Sequence, residues 1–459
     1  MVIIIKLDNI EPQNLFVVIA LIFGILFLFT TPPFQGHDEA SHLYRASDIS
    51  NGHLMPQKDA ENSWVYVPNS LRMISHLFQQ GFTNLNIAYI TSKLDFPIDY
   101  KYESKINLAS GAMVTYSPLP YLSQALGVKL GILLNLPPLL VIYLTRFMNL
   151  VFCILLLFMA IRITPVHKWV FFMLALMPMT LFQMAMITAD GVTISMSFLV
   201  IAAFLYYSLN PTIESIKRSQ ISTLFLLIAI LALCKHLYFL LALLFLIIPS
   251  GKLGGKEKKY AIFAVIMAFA LSIVLTLYSY TQILYVPENI SSSLSGQVAF
   301  LLKIGPLWAL KLFCRTINSQ FDFYISSFVG MVGWRLIIPL WLAWLYIVGL
   351  IVAALFDARA PQKISLHPKK KLILGIVAIM IILEVFVVEY LAWTPVGQNY
   401  IGGVQGRYLI PVAPLIFLLL WNKKLKNYLE EKYLKIIVII IVIFTLSLAT
   451  WAIINRYLI

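Results

Sequence analysis

The stretch "PPFQGHDEASHLYRASDISNGHL", residues 32–54, sets Asp38, Glu39, His42 and Arg45 directly behind an apolar run. A carboxylate can accept the proton of an attacking hydroxyl, and neighbouring imidazole and guanidinium groups can orient or screen it. With Gly36 as an entry and Asn51-Gly52 as a stop, residues 37–50 are predicted to form a helix of about four turns. Asp38, His42 and Arg45, spaced 4 and 3 apart, then share one face, with Glu39 on the adjacent face. The plainer reading of the same residues is a solvated helix whose first-turn acids complement the helix dipole.

Zinc does not suit this pattern. A helical zinc-protease motif needs histidines at i and i+4, whereas His37 and His42 are five apart, roughly 140° round a helix. Asp38 with His42 admits at most a divalent cation, Mg or Mn, held beside a substrate phosphate.

Further chemically capable residues lie elsewhere. Asp190 in "MITADGVTISM" falls at a turn between apolar runs, where it either binds or simply caps the next helix. Lys235 with His236 interrupts an apolar stretch, Arg407 opens another, and Arg315, Asp322 and Arg335 lie in a loop. Glu384 and Glu389 sit in or near the end of an apolar run, and an intramembrane carboxylate is costly enough to suggest a function. Lysine and arginine hold phosphates well. With no P-loop and no dinucleotide fingerprint, ATP or a nucleotide sugar is disfavoured as direct donor.

These groups must be positioned by membrane helices. The chain has 459 residues, 60% hydrophobic and 12% charged, against about 25% charged in soluble domains. It reads as an all-α polytopic membrane protein with about 11 crossings: 14–31, 138–161, 169–187, 191–209, 220–234, 236–249, 261–281, 336–356, 372–393, 408–421 and 436–455. The first run is long and lacks a small-residue cleavage site, so it does not read as a removable signal. Two long outer loops, 34–117 and 282–335, alternate with short basic ones. The inner segments carry 18 Lys/Arg against 5 Asp/Glu, and the loop 34–117 carries 6 against 8. That bias places the N-terminus in the cytoplasm and the first loop outside the cell membrane. It also accounts for the net charge of +14, leaving no reason to expect nucleic acid.

Two segments resist simple counting. "YSPLPYLSQALGVKLGILLN", 116–135, is apolar, but charge parity favours a helix lying along the outer membrane surface. Residues 221–250 must cross twice, because both flanks are basic. Arms of about 15 residues rise only ~22 Å, so the Lys235-His236 turn is expected below the outer surface, in a hydrated cavity. Cys153, Cys234 and Cys314 are too scattered for a metal or disulfide pattern.

In order along the chain, the acid pair, "YSPLPYLSQALG", "TADGVTIS", "ALCKHLYF", "GMVGWR" and "GVQGRYLIPVAPL" resemble a bacterial family of predicted membrane proteins, the domain of unknown function 2142. That family is similar in layout to the GT-C glycosyltransferases. The resemblance implies a GT-C-like catalytic module over 1–281, with the outer loop 282–335 and further helices over 282–459. It implies a polyprenyl-phosphate-linked sugar as donor and a cell-wall or surface polysaccharide as acceptor. Asp38 would be the base, with Glu39 as second choice, and Lys235 and Arg407 would bind the donor phosphate. Arg335 departs from the small or acidic residue expected after Gly333-Trp334. The competing expectations are a flippase or transporter of lipid-linked saccharides, with broken helices near the midplane, and a non-enzymatic polysaccharide assembly protein.

Overall fold

The computed structural model describes residues 11–58, 63–80, 85–108, 113, 116–282, 294–333, 336–357, 364, 366–422 and 424–459. Apolar side chains fill the first helix, α1 (Pro12–Thr30), and α2 (Glu39–Ser50) follows it across a short turn. A small outer unit comes next. Strands β1 (Gln57–Lys58), β2 (Ser63–Val67) and β3 (Ser104–Asn107) form an antiparallel sheet in the order β1-β2-β3. Helices α3 (Asn69–Gln80) and α4 (Ile87–Thr91) complete this unit. Leu43 of α2, Val65 and Val67 of β2 and Leu71, Ile74 and Phe78 of α3 share one buried cluster, so the unit anchors α2.

The chain continues through α5 (Leu122–Leu133), α6 (Pro138–Ile163), α7 (Lys168–Leu176), α8 (Pro178–Ala185) and α9 (Ala189–Leu209). Then come α10 (Arg218–Cys234), a 3-10 helix over His236–Ile247, α11 (Gly255–Gln282), α12 (Leu294–Ile304) and α13 (Pro306–Val329). The last part holds α14 (Leu340–Phe356), α15 (Pro368–Ala392), a second 3-10 segment over Gly406–Val412, α16 (Ala413–Leu418) and α17 (Glu431–Tyr457).

Six helical stretches among the described residues are long and apolar enough to span a bilayer: α1, α6, α9, residues Gly255–Leu275 of α11, α15 and α17. Counting the bent pairs α7–α8 (59°) and α12–α13 (108°) gives up to eight. This lowers the expected eleven. The runs read as crossings at 220–234, 236–249, 336–356 and 408–421 form shorter helical pieces. The α7–α8 bend falls at Pro178, which lacks the N–H that would continue the helix. The expected outer loop 282–335 is also corrected, since α12 and α13 occupy most of its described part.

The helix α9 lies at the centre, with 89% of its most apolar window buried, whereas α11 has 22% and faces outward. The short α5 does not cross, since 12 residues rise only ~18 Å. It packs antiparallel on the start of α6, with Gly127 against Thr145 and Gly131 against Val141. That replaces the expected helix along the surface.

The hairpin at 218–247 is real and short. Its base is closed by the Ile216 N–H donating to the Lys252 carbonyl at 2.8 Å. The α10 arm has 17 residues, ~26 Å long, and the 3-10 arm has 12, ~24 Å at 2.0 Å per residue. Both stop short of the ~30 Å hydrocarbon thickness. At the hairpin's open end lysines cap helix ends: Lys252 Nζ bonds the Tyr207 and Asn210 carbonyls at 3.0 and 2.7 Å, and Lys371 Nζ those of Leu419 and Trp421 at 2.9 and 2.6 Å. The acid-bearing turns gather at the other end.

Candidate functional site

The centre of that other end is Asp190, in the first turn of α9. Its carboxylate lies between two cations: Lys235 Nζ is 3.1 Å from Oδ1, and Arg407 Nε is 3.3 Å from Oδ2. Asp190 is not the helix cap. Thr188 caps α9 by accepting the Gly191 N–H, which frees the Asp190 carboxylate to face the cations. Lys235 is delivered by the hairpin turn, where an extended backbone separates α10 from the 3-10 arm. Arg407 comes from the second 3-10 segment and is only 6% exposed. Aromatic rings line the cations: Lys235 Nζ lies 4.7 Å from the Tyr408 ring centroid and 5.8 Å from that of Tyr116.

Close backbone packing sets these positions. A Cβ on Gly191 would fall 2.6 Å from the Gln183 carbonyl oxygen, and one on Gly406 2.2 Å from that of Tyr324. The glycines in "TADG" and "VQG" therefore let α9 and the Arg407 segment approach their neighbours. The turn before Asp190 is held by a buried amide network. Gln124 Nε2 donates to Asn149 Oδ1 at 3.1 Å and to the Thr188 carbonyl at 2.7 Å, while Asn149 Nδ2 donates to the Met186 carbonyl at 2.9 Å.

The α2 segment supplies the rim. Asp38 precedes the helix in a left-handed conformation (φ 54°, ψ 22°) and makes no capping hydrogen bond. It is exposed while its neighbours His37 and Glu39 are buried. Holding a non-glycine residue there is unfavourable, and such strain concentrates at functional sites. The Asp38 charge acts on both His42 and Arg407. His42 is buried, with Nδ1 2.7 Å from the Tyr121 hydroxyl. Burial pushes its pKa down to about 4, against the opposing pull of Asp38 and Asp190, so the imidazole is neutral at physiological pH.

The predicted set separates into three groups. Asp190, Lys235 and Arg407 assemble, with Asp38 and His42 beside them. Glu39 and Arg45 turn to structural tasks. Glu39 forms a fully buried fork with Arg146, Nε–Oε1 2.7 Å and Nη2–Oε2 2.7 Å, and also accepts the Gly36 and Ile187 N–H groups. Arg146 further donates to the carbonyls of Leu28, Thr31 and Pro32. With its oxygens committed in this way, Glu39 is a poor base, which corrects its place as second choice. Arg45 is equally buried and pairs with Asp48 at 3.7 Å and with the His53 and Leu54 carbonyls, so it folds the end of α2 rather than flanking Asp38. His236 is half-buried next to Lys235, and Arg315 is exposed on α13 without an ion pair among the described residues. Neither joins the cluster. Arg335 lies outside the described residues.

Sequence reasoning missed Arg146, the amide pair Gln124–Asn149 and the tyrosines. Arg146 carried a usable signal, since an arginine inside the 138–161 run needs a buried acid as partner. Glu389 joins the site electrically, its charge acting on Tyr116 and Tyr408. Cys153 and Cys234 are buried and Cys314 is exposed. A divalent cation at Asp38 and His42 fits poorly, because His42 Nδ1 is engaged by Tyr121 and no group of three His, Cys, Asp or Glu side chains suited to a metal occurs among the described residues.

No curated protein and no solved structure matches the chain. Residues 21–416 match the family described as "Predicted membrane protein (DUF2142)", a stretch that holds Asp38, His42, Asp190, Lys235 and Arg407, and the chain belongs to that family.

Proposed function

We propose that the protein is a membrane glycosyltransferase that takes a sugar from a polyprenyl-phosphate donor and passes it to a hydroxyl of an extracytoplasmic polysaccharide. The observation carrying this reading is the partly buried Lys235–Asp190–Arg407 cluster, with the exposed carboxylate of Asp38, which makes no capping hydrogen bond, at its rim. Lys235 and Arg407 outweigh Asp190 by one positive charge, which Asp38 at the rim offsets until it takes the acceptor proton, so the excess appears as charge develops on the leaving phosphate. Their place at the ends of apolar helices suits a phosphate whose polyprenyl tail stays in the lipid.

In the reaction, the acceptor hydroxyl gives its proton to Asp38 as its oxygen bonds to the anomeric carbon. The bond from that carbon to the phosphate oxygen breaks, and the electron pair leaves on the phosphate. Lys235 and Arg407 stabilise the charge that develops there. Attack from the face opposite the phosphate inverts the anomeric centre. His42, neutral and fixed by Tyr121, orients the carboxylate side of the site. The GT-C-like order of sequence motifs supports the class of reaction, and the basic bias of the short loops supports an active face outside the cell membrane with the N-terminus in the cytoplasm.

A second reading draws on a different observation. The α7–α8 bend, the short hairpin and the α12–α13 bend of 108° are broken elements of the kind that transporters of lipid-linked saccharides use near the midplane. Purified protein in lipid nanodiscs separates the role of the cluster from a purely structural one. Polyprenyl phosphate should bind and uncharged polyprenol should not, and Lys235→Ala should weaken the first at least ~10-fold. Equal binding of both lipids would remove the phosphate site. Proteoliposomes that flip the lipid-linked sugar without transferring it would favour the transporter.

A further inference from the structure

His37 differs from the other groups of the site in having nothing to bond. Its side chain is 6% exposed, and neither Nδ1 nor Nε2 finds a partner among the described residues. Leaving a buried polar group unsatisfied is costly, so an imidazole with both nitrogens idle points to a partner supplied from outside the chain. The ring is held edge-on against Phe182, with centroids 6.2 Å apart. It sits immediately before the left-handed Asp38 and within reach of the charges of Arg407 and Asp190. Arg407 Nη1 is likewise buried with no hydrogen-bond partner among the described residues. Two unpartnered groups therefore adjoin the phosphate-binding cluster, one cationic and one an imidazole.

Burial and the Arg407 charge hold His37 neutral, its pKa well below the usual value. A neutral imidazole offers one N–H donor and one bare acceptor nitrogen. An unprotonated phosphate oxygen can use only the donor, whereas a hydroxyl group donates and accepts and can satisfy either nitrogen. We infer that His37 binds a hydroxyl of the sugar being transferred and so selects which sugars the site accepts. This rests on the glycosyl-transfer reading and adds a specificity residue to it.

The test uses the full chain in nanodiscs with polyprenyl-phosphate hexoses, their monodeoxy analogues and a polysaccharide acceptor. His37→Ala should raise KM for the preferred hexose at least ~10-fold while leaving KM for one deoxy analogue nearly unchanged, so that discrimination collapses. His37→Gln, whose amide keeps a donor and an acceptor, should recover part of it. Because His37 makes no side-chain hydrogen bond among the described residues, the thermal midpoint of either variant should stay close to wild type. Sugar-free polyprenyl phosphate should bind His37→Ala as well as wild type and bind Lys235→Ala poorly. An unchanged KM and unchanged selectivity in His37→Ala would overturn the assignment while leaving the transferase intact. A wild-type protein that neither binds polyprenyl phosphate nor transfers any sugar would sink the parent reading, and the His37 assignment with it.

Discussion

Three acids within 153 residues of one another in sequence, Asp38, Glu39 and Asp190, have three different fates, and solvation decides among them. Glu39 is fully buried, and Arg146 and two backbone N–H groups meet its carboxylate there. Removing one partner of such a pair leaves an unpaired buried charge, at a cost of about 3–5 kcal/mol. Glu39→Ala and Arg146→Ala are thus expected to lower thermal stability sharply, whereas Asp38→Asn, at an exposed residue without a capping bond, should leave it nearly unchanged; melting curves in detergent compare them directly. His42 makes a second prediction. Its folded-state pKa of about 4 lies below the ordinary 6.5, so below pH 6.5 the unfolded chain binds the proton first. The stability tied to neutral His42 is full above pH 6.5 and is lost as pH falls towards 4, by about 3 kcal/mol at 1.36 kcal/mol per pKa unit. Relative to wild type, His42→Gln should flatten the stability profile across that window. The sequence showed which residue types were present and named Lys235 and Arg407 together, and both lie against Asp190. It did not show that Glu39 and Arg45 face inward, because helical spacing places residues on faces without saying what covers them.

Elements bring the site together through close contact at two glycines and through a hairpin that ends early. Gly191→Ala would press a methyl carbon onto the Gln183 carbonyl, and Gly406→Ala onto that of Tyr324. Backbone atoms cannot swing aside as a side chain can, so each is expected to cost at least ~1–3 kcal/mol and to move Asp190 or Arg407. The check is a lowered melting point together with weakened polyprenyl-phosphate binding. The hairpin was legible from its length: basic flanks on both sides and arms too short to span imply a buried turn, and Lys235 is found bonded to Asp190. The 3-10 character of the second arm was not legible, since an apolar run of leucines and phenylalanines reads the same in either helix type. The helices α12 and α13 were lost because Lys303, Lys311, Arg315 and Asp322 broke the apolar run that marks a span. The four shorter pieces fall below the length of a full span for the opposite reason, as hydropathy registers composition and says little about where a helix stops.

At the scale of the whole molecule, the acid-bearing turns and the lysine-capped helix ends occupy opposite ends of the bundle. If charge bias sets orientation, a membrane-impermeant maleimide should label Asn51→Cys in intact cells and should reach Lys256→Cys only after the membrane is opened. The site draws on both halves of the chain, Asp190 and Lys235 from the first and Arg407 from the second, so its chemistry depends on the assembled bundle. The central claim is glycosyl transfer with Asp38 as the base. The direct measurement is single-turnover transfer from a radiolabelled polyprenyl-phosphate sugar to a cell-wall polysaccharide by purified wild-type protein and Asp38→Asn in nanodiscs. The account predicts transfer by the wild type and a loss of about 10²–10⁴-fold in the variant, with its melting point and polyprenyl-phosphate binding preserved. Full transfer by Asp38→Asn would contradict it.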